Sequence, residues 1–313
     1  MELIDSIKAA QKILIVGHMR PDGDCLGAGL ALYHLALNEG KTADVVYDSD
    51  IPERYAFLPD FDVINKYTGS PYDLLLIVDC GDDLRMGKYI KQLKRVAKSI
   101  QFDHHITNNN FAEINYVYPE KSSTCEILAD LLLPEGLVDK TIASYLYIGL
   151  STDTGHFMHS NVTQNVYDTA SKLLACGADA YNLNILLYRS NTLNKTKLIG
   201  RAIKSMKFFC DNSICVISIR PNDLVETGCL LADTEGLIDL AMDIGCVKVA
   251  VCMTEQPENK YKISFRSKGF NVAECAAVFG GGGHVQAAGC VASGMYEDVL
   301  SKIVKSITDG MDV

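Results

Sequence analysis

The chain is short of several things. Among 313 residues its eleven cysteines form no CxxC pair and are scattered singly, in odd number. That argues against a disulfide framework and fits a reducing cytoplasm, the location the sequence leads us to expect. No apolar run reaches the ~18 residues of a membrane-spanning helix, so no membrane partner is expected. The start, Met1-Glu2-Leu3-Ile4-Asp5-Ser6-Ile7-Lys8, is amphipathic and lacks a signal-peptide pattern. Positive charge is scarce: 29 Lys and Arg stand against 39 Asp and Glu, a formal net charge of −10. That argues against coating long nucleic acid, though a few local cations suffice for a small phosphorylated substrate. No Gly-Lys-Ser/Thr phosphate loop, GxGxxG fingerprint or GxSxG elbow is found. Tryptophan is absent, which decides nothing about function.

What is present is a particular placing of aspartate and histidine. The apolar run Lys12 to Gly17 ends in His18-Met19-Arg20-Pro21-Asp22-Gly23-Asp24. A second run, Asp73 to Val78, ends in Asp79, and a third, Ala97 to Phe102, ends in Asp103-His104-His105. Short runs of Val, Ile and Leu read as buried parallel strands. In an open α/β sheet, ligands gather beyond the carboxyl ends of the strands. Three strand ends thus bring carboxylates and imidazoles to one edge. A donor set of oxygen and imidazole without sulfur suits Mn²⁺ or Mg²⁺ before Fe or Zn, the pattern of a metal-dependent hydrolase.

Each residue also has a plainer reading. Asp24 reads equally as the N-cap of the helix that follows. Asp79 can bridge two cations or simply end a strand in a turn. Asp82 and Asp83 read as caps of the next helix. Adjacent side chains of an extended chain point to opposite faces, so His104 and His105 need a turn to reach one site or else serve different roles. Asp153, in Ser151-Thr152-Asp153-Thr154-Gly155-His156, reads as a further ligand or as a helix-end turn residue. His156 and His159 are weaker still. Cys25, Cys80 and Cys125 read as packing residues. In Phe279-Gly280-Gly281-Gly282-Gly283-His284 the glycines allow backbone N–H groups to approach an anion, as an ordinary flexible loop also would. Arg266, which can grip phosphate bidentately, reads equally as a surface charge.

The expected fold is α/β: a doubly wound, mainly parallel sheet in the N-terminal domain and a smaller α/β C-terminal domain. Strands are expected at 12–17, 43–48, 73–79 and 98–103, with helices at 25–38, 85–94, 123–133, 139–150 and 163–176. The basic stretch Tyr188 to Lys207 reads as a helix bridging the domains, with its charges on a solvated face. Beyond it come strands 206–210, 214–219, 246–254 and 260–266, with helices near 222–226, 231–243, 271–278 and 295–308. The domains are therefore 1–187, a linker helix 188–206, and 207–313, with the active cleft expected between the two.

Taken together, the motifs resemble the DHH superfamily of phosphoesterases, named for the triplet found here as Asp103-His104-His105. The matching segments are His18 to Asp24, Leu76-Ile77-Val78-Asp79, Ser151 to Gly155 and, in the second domain, Gly281-Gly282-Gly283-His284. The resemblance covers nearly the whole chain. By size and layout it is nearest to the stand-alone nanoRNase and pAp phosphatase group, which Ser122-Ser123-Thr124 and Arg20-Pro21-Asp22 also fit. Gly27-Ala28-Gly29 departs from the usual Gly-Ser.

The resemblance implies two divalent metal ions, Mn²⁺ foremost with Mg²⁺ or Co²⁺ as substitutes. His18, Asp22 and Asp79 would hold one; Asp24, Asp79, His104 and Asp153 would hold the other, with Asp79 as the bridge. His105 would meet the scissile phosphate or protonate the leaving oxygen, oriented by Asp103. Arg266, Gly281, Gly282, Gly283 and His284 would bind substrate. The implied substrates are short RNA oligonucleotides and the 3′-phosphate of pAp. A cyclic di-AMP or pApA phosphodiesterase and a non-catalytic nucleotide sensor are the alternatives. Long duplex nucleic acid is not an expected partner, and a homodimer is left open.

Overall fold

The computed structural model describes residues 2–69 and 71–310, and the chain divides into two compact units, Met1–Ser190 and Asn191–Val313. In the first, strands β1 (Lys12–Gly17), β2 (Thr42–Val46), β3 (Leu74–Val78), β4 (Lys98–Asp103) and β5 (Ile114–Val117) form one sheet in the order β2-β1-β3-β4-β5. Every pairing in it is parallel. The helices are α1 (Glu2–Ala9), α2 (Gly23–Asn38), α3 (Thr124–Leu132), α4 (Lys140–Asp153), α5 (Gln164–Ala175) and α6 (Ala180–Tyr188).

The central strands β1 and β3 are continuous apolar runs because both faces of the sheet are buried there, whereas β4 carries Ser99 and Gln101 between its apolar residues and the edge strands are partly exposed. Ile13 and Ile15 pack toward the helices with Leu26, Leu30, Leu128 and Leu146, whereas Leu14 and Val16 turn to the other face with Leu75, Ile77, Met86 and Tyr89. That second face is covered by a 3-10 helical run, Asp83–Lys94, rather than the α-helix expected at 85–94. Gly87, at φ 57°, breaks the run in two, and Asp82 caps it by accepting the N–H of Arg85.

The second unit holds α7 (Leu193–Lys204), β6 (Lys207–Phe209), β7 (Ile214–Ile219), α8 (Pro221–Thr227), α9 (Asp239–Met242), β8 (Val249–Gln256), β9 (Lys260–Ser267), α10 (Val272–Ala277), β10 (Gly282–His284), β11 (Ala287–Ser293) and α11 (Tyr296–Thr308). Its sheet is mixed, in the order β10-β11-β9-β8-β7-β6, with only β7 and β8 parallel. The helix expected to link the domains is α7, and it lies within this unit. Leu198 and Ala202 bury themselves against Cys215, Ile217 and Ala250, so packing assigns the helix to the second core. Its charges stay local, with Arg201 paired to Glu226 and Lys195 donating to the carbonyl of Glu235.

The expected helix 231–243 is a 3-10 turn at Leu231–Thr234 followed by the short α9. The glycine-rich segment is partly strand: Gly283 pairs with Ala288, at φ 149°, and a Cβ there would lie 2.6 Å from the Ala288 Cα.

Candidate active site

The site grows from strand register. Gly17 on β1 is the partner of Val78 on β3, and Val78 is the partner of Phe102 on β4. The residues that follow these three, His18, Asp79 and Asp103, therefore stand abreast at the carboxyl edge. The neighbours β1 and β3 mark the place where the strand order reverses, the usual ligand position in such sheets. Asp79 sits at φ 56°, while its N–H donates to the carbonyl of Phe102 at 2.9 Å. A non-glycine residue in this region is strained, and such strain is characteristic of functional positions.

Asp79 is buried, and its two oxygens face different ways. Oδ2 lies 3.3 Å from His18 Nε2; Oδ1 lies 3.6 Å from both His104 Nε2 and His105 Nδ1. His18 Nδ1 is turned to the carbonyl of Met19 at 2.8 Å, which leaves Nε2 for the site. Asp153, at the end of α4, completes the far side, with Oδ2 3.2 Å from His104 Nε2.

The loop after β1 divides its aspartates in a way the sequence did not reveal. The cap of α2 is Asp22, not Asp24: Asp22 Oδ1 accepts the N–H groups of Asp24 and Cys25, each at 3.1 Å. Asp24 is fully buried and serves the start of another helix, α3, accepting from Thr124 N–H at 2.7 Å and Cys125 N–H at 2.9 Å. Its Oδ2 is also 4.0 Å from His104 Nε2. Room for the carboxylate depends on Gly149 of α4, where a Cβ would come within 2.6 Å of Asp24 Oδ1. Ser123 caps α3 itself, its side chain accepting the N–H of Glu126 at 3.0 Å.

Both histidines of the Asp-His-His triplet reach Asp79, because the strand ends at Asp103 and the chain turns beyond it. Asp103 stays outside the ligand groups. Its Oδ1 is 2.7 Å from His105 Nδ1, and Asn108 donates to its Oδ2. The His105 Nε2 atom then faces Arg85 Nη1 at 3.4 Å, a neighbour not anticipated from sequence.

The electrostatics are those of crowded carboxylates. Burial and the nearby charge of Asp79 push Asp24 up to about 7. Burial and the charges of Asp24 and Asp79 push Asp153 well above the usual range. Asp79 and Asp22 go the other way: despite burial, the hydrogen bond with His18 lowers both, Asp22 to about 2. Burial would depress His18 and His105, but Cys25, Asp22 and Asp79 raise the first, and Asp103 and Asp79 the second.

Carboxylates that force each other toward protonation are what a bound cation relieves. Among the described residues three trios bring ligand atoms within 4.8 Å of one another: His18, Cys25 and Asp79; Asp79, His104 and His105; Asp24, His104 and Asp153. Asp79 is shared by the first two and His104 by the last two, so the donors fit adjacent divalent ions. Asp22 is outside the trios, 3.9 Å from His18 Nε2. Cys25 is buried, and burial pushes its thiol up to about 12, the character of a packing residue. His156 and His159 belong to none of the trios; His156 lies against Tyr188, ring centroids 4.5 Å apart.

In the second unit, Arg266 on β9 is the partner of Ala287 on β11, and Ala287 is the partner of His284 on β10. Directly opposed residues share a face, so Arg266 and His284 point the same way with only a methyl group between them. His284 is exposed, and Arg266 is partly so, its Nη1 donating to the carbonyl of Phe265.

Residues 12–150 match the DHH family N-terminal domain, and residues 231–311 match the DHHA1 domain. The chain is 30% identical to the bifunctional oligoribonuclease and PAP phosphatase NrnA of Thermus thermophilus, over 95% of this chain and 90% of that one. It is 28% identical to the protein of the same name from Mycoplasma genitalium, over 98% and 97%. A solved structure of an exopolyphosphatase-related protein from Bacteroides fragilis matches with a TM-score of 0.91 at 27% identity, covering 98% of this chain and 96% of that one. With its motifs on three adjacent strand ends and its relatives aligned from end to end, the chain belongs to the DHH family of phosphoesterases.

Proposed function

We propose that this protein hydrolyses short oligoribonucleotides to mononucleotides and removes the 3′-phosphate of pAp, using two Mn²⁺ ions. The observation that carries this is Asp79: buried and strained, it offers one oxygen to His18 and the other to His104 and His105. Such an arrangement would suit a ligand shared between two cations. The relatives named for both activities support the choice of substrate.

His18, Asp22 and Asp79 would hold one ion, and Asp24, Asp79, His104 and Asp153 the other; the all-oxygen-and-imidazole set favours Mn²⁺. When bound, such a pair polarises phosphoryl oxygens and provides a nucleophile near neutral pH. The chain's own residues do the rest. Asp103 accepts a hydrogen bond from Nδ1–H of His105, fixing the ring so that Nε2 meets the scissile phosphate or, when protonated, delivers a proton to the leaving oxygen. Arg266, His284 and the segment Gly281 to Gly283 supply the substrate-binding groups of the second unit, where Arg266 and His284 share a face; the Gly281 N–H itself donates to the Ala276 carbonyl.

The test is to assay pAp, pApA and cyclic di-AMP side by side with Mn²⁺ and with chelator. Turnover of pAp and pApA that disappears with chelator supports the reading. Preference for cyclic di-AMP would assign the protein to cyclic dinucleotide turnover instead. Binding of all three without turnover would make it a sensor.

A further inference from the structure

The geometry points to Arg85 as a phosphoryl-oxygen contact of the active site, an inference that rests on the phosphoesterase reading above. Arg85 is held in place by its backbone. Its N–H donates to Asp82 Oδ1 at 3.1 Å, and its carbonyl accepts the N–H of Met19 at 2.8 Å. It thereby ties the loop after β3, which carries Asp79, to the loop after β1, which carries His18. The side chain takes no part in that tie and is free for another purpose.

The guanidinium points into the site. Its only side-chain hydrogen-bond partner among the described residues is His105 Nε2, at 3.4 Å. That distance is long for a hydrogen bond and engages one of five donors. Among the described residues no carboxylate pairs with it: Asp82 receives the Arg85 backbone N–H, and Asp103 is engaged with His105. A half-buried arginine with no carboxylate partner, lying against the histidine that Asp103 supports, has its remaining donors to offer an anion. The planar fork matches two oxygens of a phosphoryl group, which a lysine would meet only as a point charge. Because the tie to the His18 loop is made by main-chain atoms, changing the side chain leaves it intact.

Wild type, Arg85→Ala and Arg85→Lys are compared in the full chain by four measurements: melting temperature, Mn²⁺ affinity by calorimetry, kcat and KM on pAp, and inhibition by inorganic phosphate. Arg85→Ala is expected to keep its melting temperature and Mn²⁺ affinity. Its kcat/KM should fall about 10- to 100-fold, and the phosphate inhibition constant should rise by a similar factor. Arg85→Lys should recover part of the loss, and guanidinium ion added to Arg85→Ala should recover part of it too. An unchanged phosphate inhibition constant would overturn the proposal, and so would loss of Mn²⁺ affinity together with activity. Wild-type protein inactive with Mn²⁺ would instead bring down the phosphoesterase reading itself; active wild type matched by Arg85→Ala would remove only the role of Arg85.

Discussion

Asp24 Oδ2 accepts the backbone N–H of Thr124 at 2.7 Å, across 100 positions of sequence. One carboxylate thus anchors the start of α3 and faces His104, a proposed metal ligand. Stability and metal binding meet in this residue. Asp24→Ala leaves two buried N–H donors without a partner and should destabilise the metal-free protein by about 1–3 kcal/mol. Asp24→Asn keeps one of the two acceptor oxygens and sets its amide N–H₂ against the other backbone donor, so it should destabilise the metal-free protein too, though by less than Asp24→Ala. Both should lose Mn²⁺ affinity, and urea melts with and without Mn²⁺ separate the two effects.

The metal-free protein should become less stable as pH rises. Asp24 is held up at about 7 against an ordinary 3.8, and Asp153 is raised in the same direction. Between those values the folded state keeps protons that the unfolded chain has released, so stability drains away as pH climbs through the window. His18, raised above its ordinary 6.5, acts with the same sign at higher pH. Asp22, lowered to about 2, acts oppositely, its contribution being lost as pH falls below about 4. Calorimetric melts of metal-free protein should therefore give a higher Tm near pH 5 than near pH 8. Saturating Mn²⁺ should flatten the difference, with proton release on binding. A metal-free Tm that rises from pH 5 to pH 8 would contradict this.

Removing the shared carboxylate should abolish turnover without unfolding the chain. Asparagine tolerates the positive φ that Asp79 adopts, so Asp79→Asn is the cleaner variant, with Asp79→Ala alongside it. Each should lower kcat by at least ~10²-fold, with circular dichroism unchanged.

Asp103→Asn should impair His105 without removing a metal ligand. The bond of 2.7 Å to Nδ1 would no longer favour the proton on that nitrogen. We expect kcat to drop about 10- to 100-fold while Mn²⁺ affinity is kept; equal loss of both would place Asp103 among the ligands.

Arg266→Ala and His284→Ala should weaken substrate binding and leave the metals in place. The expected loss in kcat/KM on pAp and on dinucleotides is about 10- to 100-fold. Bis-p-nitrophenyl phosphate, which has no distal phosphate, should be affected much less. Rates should also be best for dinucleotides to ~5-mers, given the net charge of −10. A rate that rises toward ~20 nucleotides would favour a processive exonuclease.

The sequence by itself determined the kind of protein and its fold class, and it singled out the residues proposed for its site. Continuous apolar runs marked β1 and β3 because a parallel strand buried on both faces leaves no alternation to blur the signal, and the polar residues that end them stood out by contrast; β4 mixes Ser99 and Gln101 with Ile100 and Phe102, and it is the Asp103-His104-His105 at its end that stood out. Strands β5, β10 and β11 were not legible. Ile114–Val117 is only four residues long and half-exposed, and the glycines of β10 carry no side chains to show a period. Only the tertiary structure decided what each aspartate does. Asp22 and Asp24 are two residues apart and chemically identical, yet one caps its own helix while the other reaches α3. Register decided that His18, Asp79 and Asp103 stand abreast. The fold of the loop after β3 decided that Arg85 faces His105. Such contacts join segments distant in sequence, and local propensity and periodicity carry no information about which distant segments will meet.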